Sequence, residues 1–130
     1  TTGQTVAGVS GSSGSGLLRL DGPRSVILDN KGKTKTSKNS IDLIESFLFD
    51  RFLYIVDSNN HRVVRWTMNY TAGGECIVAC TNNWGTQANR LYFPRDLKFD
   101  ASGNLYVNDQ RNNRIQKFMI QIPPNCTACK

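Results

Sequence analysis

Apolar residues in this chain fall into short runs, each closed by Gly, Pro, Asn or Asp. Ser25 to Leu28 is one run, set after Pro23, which can precede a ladder but not interrupt it. Leu53 to Val56 is the next. It ends at "DSNNH", whose Asp, Ser and Asn side chains bond their own backbone and favour a turn. Val63 to Met68 is the third, and its alternation sets Val63 and Arg65 on one face, Val64 and Trp66 on the other. Cys76 to Cys80, "CIVAC", reads as a fourth. The runs are β-branched or aromatic and bounded by turn residues, so the pattern predicts strands. Four short antiparallel strands are the content of one β-propeller blade.

The same pattern occurs twice. "LYIVDSNNHRVVRW" at 53–66 returns as "LYVNDQRNNRIQKF" at 105–118, with Leu53, Tyr54, Asp57, Asn60 and Arg62 recurring as Leu105, Tyr106, Asp109, Asn112 and Arg114. Upstream, Pro23, Arg24, Asp29 and Gly32 recur as Pro94, Arg95, Asp100 and Gly103, and "TVAGV" matches "IVACT". Self-similarity of this kind is the signature of a repeat architecture.

These residues resemble the NHL-repeat family of β-propellers: a proline before a strand, an aspartate–glycine turn, then "LYVAD"-like and "NHRI"-like segments. "QTVAGVSGSSGSG" resembles the outer strand and glycine loop that precede each blade's proline. The resemblance implies an all-β fold of four-stranded antiparallel blades. Residues 1–130 form one module of two such blades. Blade one spans about 17–80 with an insertion at 33–51, and blade two about 91–122, its outer strand supplied by a segment of the 1–10 type.

Two departures from the family matter. Pro23 to Pro94 is a shift of 71 and Leu53 to Leu105 a shift of 52, so blade one carries 19 extra residues, Lys33 to Arg51. Within them Ile41, Ile44 and Phe47 or Leu48 have helical spacing after a possible cap at Ser40. The segment either folds over its own blade or binds a partner. The second departure is number: a closed propeller takes roughly 4 to 8 blades, and isolated blades would expose faces that repeats bury against neighbours. The module is therefore open, a stretch of a longer propeller, or completed by other copies.

Composition narrows the class further. Sixteen Lys and Arg against 10 Asp and Glu give a net charge of +6, which suits anionic partners without choosing among them. Lys31, Lys33, Lys35 and Lys38 are clustered, but no aromatic residues interleave them, so base stacking is not indicated and nucleic acid is not the expected partner. No apolar run reaches the ~18 residues of a membrane helix. The opening segment is polar and does not read as a secretory leader.

Four cysteines, Cys76, Cys80, Cys126 and Cys129, and two sequons, at Asn69 and Asn125, point to an extracellular, glycosylated protein with disulfides. If "CIVAC" is a strand, Cys76 and Cys80 stand about 13 Å apart, beyond the ~7 Å reach of a disulfide. Their partners are then Cys126 and Cys129, on the same chain or a neighbour. Zinc ligation is disfavoured, since only one C-x-x-C pair and one histidine are present.

No catalytic, cofactor or metal site is expected. Some secreted NHL propellers are lyases that use several histidines around a metal, whereas this chain has only His61, in the blade turn. The glycine–serine stretch is neither a Walker loop nor a nucleophile elbow. Asp57 with Arg62, and Asp109 with Arg114, read as structural pairs that fix turn and register. The expected function is a non-catalytic extracellular interaction module. Copies would join head to tail into a ring or filament, the N-terminal strand of one entering the C-terminal blade of the next. The alternative is a fragment of a larger propeller that binds protein, glycan or RNA.

Overall fold

The computed structural model describes residues 1–28, 52–67 and 72–120. A first sheet holds β1 (Pro23–Leu28), β2 (Phe52–Asp57), β3 (Arg62–Thr67) and β4 (Gly74–Val78), antiparallel and in chain order. A second holds β5 (Asp96–Phe99), β6 (Asn104–Asp109) and β7 (Arg114–Met119), also in chain order. The protein is all-β, with two blade-like sheets that do not close into a ring. The registers agree between copies: Tyr54 lies opposite Arg65 and Asp57 opposite Arg62, as Tyr106 lies opposite Lys117 and Asp109 opposite Arg114.

The turns repeat as well. Between β2 and β3 the chain makes a short helical turn at Ser58–Asn60 and leaves it through His61 at φ 55. Between β6 and β7 the same turn at Gln110–Asn112 exits through Asn113 at φ 52. His and Asn are among the residues that tolerate this left-handed conformation, and a β-branched side chain there would be strained.

The sheets stack face to face. Tyr54, Val56 and Val63 of the first meet Leu97, Leu105 and Val107 of the second. Leu91, from the loop entering the second blade, is fully buried in the same core. Tyr54 and Phe99 meet edge to face at 4.8 Å. Each such Leu or Val contributes roughly 1.5–3 kcal/mol by burial, so this shared core binds the two sheets into one body.

Two strand assignments differ from expectation. β4 ends at Val78, because Ala79 turns to φ 57 and sends the chain back on itself. Cys80 thereby comes within 5.6 Å of Cys76, Cα to Cα, and the two form a disulfide. The expectation that they would not pair is overturned: the 13 Å separation applies to a straight strand, and this one bends before its second cysteine. "TVAGV" does not form a strand either. Its one extended pairing among the described residues is an isolated bridge from Val9 to Ser12. The insertion Lys33 to Arg51, with Ile41, Ile44, Phe47 and Leu48, lies outside the described residues, as do Asn69, Asn125, Cys126 and Cys129.

Candidate interaction surface

Asp57 closes β2 with its side chain fully buried, and donors converge on both its oxygens. Oδ1 accepts the backbone N–H of Asp21 at 2.7 Å. Oδ2 accepts from Arg62 Nε at 2.8 Å and Asn60 Nδ2 at 2.9 Å. Arg62 donates onward to the carbonyls of Ser15, Gly16 and Arg19, and Asn60 to that of Gly14.

Asp109 repeats these contacts and accepts one more, from Gln116 Nε2 at 3.3 Å. It accepts from Tyr92 N–H, Arg114 Nε and Asn112 Nδ2. Arg114 then donates to the carbonyls of Thr86, Gln87 and Arg90. The planar fork of arginine suits several carbonyls at once, which a lysine could not reach together. Each pair thus ties the loop preceding a blade to that blade's centre. The exposure of the two arginines differs, 3% for the Arg62 side chain and 30% for that of Arg114.

His61 sits where the two blades join. Its Nδ1 accepts the Phe93 backbone N–H at 3.2 Å, and its ring meets Phe93 edge to face at 4.5 Å. Burial, then the positive charge of Arg111, lowers its pKa below the ordinary 6.5, against the opposing pull of Asp109. Arg111 caps the Phe93 ring at 4.5 Å, and the exposed Trp84 stacks on Tyr92 at 4.6 Å. The equivalent positions of blade one hold Asn59, Gly22 and Asp21 in place of Arg111, Phe93 and Tyr92. This aromatic group has no counterpart at the entry to blade one among the described residues, and the repeat pattern does not call for it.

The two outward faces of the stack differ. On blade one, Ile55, Val64 and Trp66 are buried, with Ala7, Leu20 and Leu53 packed against them. Val26 and Leu28 on that face are 58% and 36% exposed, and Val26 lines an open groove of about 380 Å³ with Val6, Leu20 and Pro23. On blade two the outward positions are Lys98, Tyr106, Asn108, Ile115 and Lys117, where blade one carries Ile27, Tyr54, Val56, Val63 and Arg65 toward its neighbour. Ile115 is 65% exposed. One end of the stack is apolar and half-covered, and the other is more polar.

Residues 91–118 match the family model described as NHL repeat. No curated protein matches the chain.

Proposed function

From a chain whose residues 91–118 are an NHL repeat, preceded by a second copy of the same frame, we propose a non-catalytic, extracellular interaction module that extends its own stack of blades. Copies join head to tail, the apolar face of blade one seating on the outward face of blade two of the next copy.

A single comparison carries it. Val26 and Leu97 hold the same place in the repeat, yet Leu97 is 2% exposed and Val26 58%. Leu97 is buried by the blade before it. Val26 is apolar for the same use, and among the described residues no blade lies against it. A blade face of this kind normally packs on its neighbour, and a contact between unlike faces is heterologous, closing into a ring or growing into a filament. With roughly 4 to 8 blades per propeller, a ring of two-blade copies holds about two to four of them.

Sedimentation velocity over a concentration series tests the assembly. The expected result is a discrete species of several copies for a ring, or a size that grows with concentration for a filament, and a single copy at every concentration would overturn it. The extracellular address draws on the Cys76–Cys80 disulfide and on the sequons at Asn69 and Asn125. It requires a mobility shift when material from the native source is treated with a glycosidase. Absence of a shift would return the balance to an intracellular protein or nucleic-acid partner.

A further inference from the structure

We infer that residues Gly3 to Ala7 of one copy form the fourth strand of the second sheet of the next copy, in the register that β4 takes on β3. This rests on the head-to-tail reading and names the contact that would hold the joint.

The first observation is backbone equivalence. Three left-handed residues lead into blade one, Gly8 at φ 78, Gly11 at φ 71 and Gly22 at φ 57. Three lead into blade two, Ala79 at φ 57, Asn82 at φ 54 and Phe93 at φ 47. Each differs from its counterpart by the same shift of 71 residues. Main-chain hydrogen bonds follow the shift too: Gly14 N–H donates to Leu20 as Gly85 does to Leu91, and Arg19 to Gly16 as Arg90 does to Gln87. Residues 8–28 therefore repeat the path of 79–99, so the match of "TVAGV" to "IVACT", a shift of 72, is one residue out of step with the backbone. Carrying the shift of 71 back places Gly3 to Ala7 at β4, Gly74 to Val78.

The second observation is that, among the described residues, both halves of this pairing stand open. There Gly3 to Ala7 joins no ladder, and nothing pairs with the outer edge of β7. An unpaired strand edge is a template for another strand. In the first sheet Val78 lies opposite Val63, Cys76 opposite Val64, Glu75 opposite Arg65 and Gly74 opposite Trp66. Moved by the two repeat shifts, these become Ala7 opposite Ile115, Thr5 opposite Gln116, Gln4 opposite Lys117 and Gly3 opposite Phe118.

A glycine supplies the third observation. A Cβ on Gly74 would lie 2.5 Å from the Trp66 ring, so the aromatic side chain requires glycine there. Gly3 has nothing within 4 Å of such a Cβ, and its own fold gives it no steric reason to be glycine. In the added strand it would lie against Phe118, the counterpart of Trp66. The polar character of Lys98, Asn108 and Lys117 fits the same picture. A joint that buries less apolar area than the internal one draws more of its hold from main-chain hydrogen bonds.

Two variants of the full chain, compared with wild type by sedimentation equilibrium, test the register. Gly3→Val leaves the single copy's melting temperature unchanged and weakens association about tenfold or more, since its side chain overlaps the Phe118 ring. Arg65 and Glu75 form an ion pair across β3 and β4; Gln4→Glu recreates it against Lys117 and tightens association roughly two- to fivefold, an effect that salt removes. Wild-type strength in Gly3→Val, or no gain in Gln4→Glu, would overturn the added strand while leaving blade stacking in place. Occupation of the β7 edge by the chain's own tail would give this same result. A wild-type protein that never associates would overturn the inference together with the reading beneath it.

Discussion

The backbone N–H of Phe93 donates to Nδ1 of His61, so the entry to blade two hangs on an imidazole at the exit of blade one's turn. The acceptor exists only while Nδ1 is unprotonated. Because burial and Arg111 depress the folded pKa below 6.5, the unfolded chain takes up its proton first as pH falls. Stability from this group is complete above the unfolded value. It is lost as pH drops below about 6.5 and on through the folded pKa. Melting temperature should therefore fall between about pH 7 and pH 5, above the range where Asp and Glu carboxyls titrate. His61→Asn, with the residue that blade two uses at the same left-handed position, should flatten that slope. A slope unchanged in the variant would assign the pH dependence to other groups.

The two aspartates offer an internal comparison. Asp57→Ala strands the guanidinium of Arg62, whose side chain is 3% exposed, at a cost of about 3–5 kcal/mol. Asp109→Ala leaves Arg114 with a side chain 30% exposed, where water replaces part of the lost partner, and costs about 1–3 kcal/mol. Asp57→Asn should behave nearly as Asp57→Ala, since it turns an N–H donor toward the donors of Arg62 or of Asp21. Urea midpoints for the three variants give the order. Equal losses at Asp57 and Asp109 would mean that burial of the arginine does not set the cost.

The Cys76–Cys80 disulfide closes a loop of five residues, which limits its stabilisation to roughly 2 kcal/mol on a chain-entropy basis. Reduction should lower the melting temperature by a few degrees without unfolding the sheets. Non-reducing peptide mapping should return Cys76 and Cys80 in one linked peptide. A link from either to Cys126 or Cys129 would contradict the structure.

Much of this architecture is legible in the sequence, because the repeat states it twice. Leu53 to Asp57 and Leu105 to Asp109 show the alternation and turn chemistry of strands, and the matching Asp and Arg positions lie opposite each other in both sheets. What escaped reading depends on single backbone angles. Nothing in "CIVAC" announces that Ala79 takes φ 57, and without that bend the cysteines look too far apart to bond. "TVAGV" matches a strand in sequence, yet a strand needs a partner, and among the described residues this one has only the isolated bridge from Val9 to Ser12. The repeat shift itself could have found the carbonyls that Arg62 and Arg114 reach, since Ser15, Gly16 and Arg19 precede blade one as Thr86, Gln87 and Arg90 precede blade two. Trp84, Tyr92 and Phe93 are outside the repeat's logic, so pattern matching passes over them.

The most direct test of the central claim is association measured side by side for wild type, Val26→Asp and Leu97→Asp by sedimentation equilibrium, with melting temperature as the control for folding. Leu97→Asp buries a charge in the shared core and should unfold the protein or destabilise it severely. Val26→Asp puts the same charge on a side chain 58% exposed, so the single copy should melt within a few degrees of wild type. Its assemblies should be lost, because the next blade would bury that carboxylate. Val26→Asp assembling as wild type does would contradict the claim that this face docks another blade.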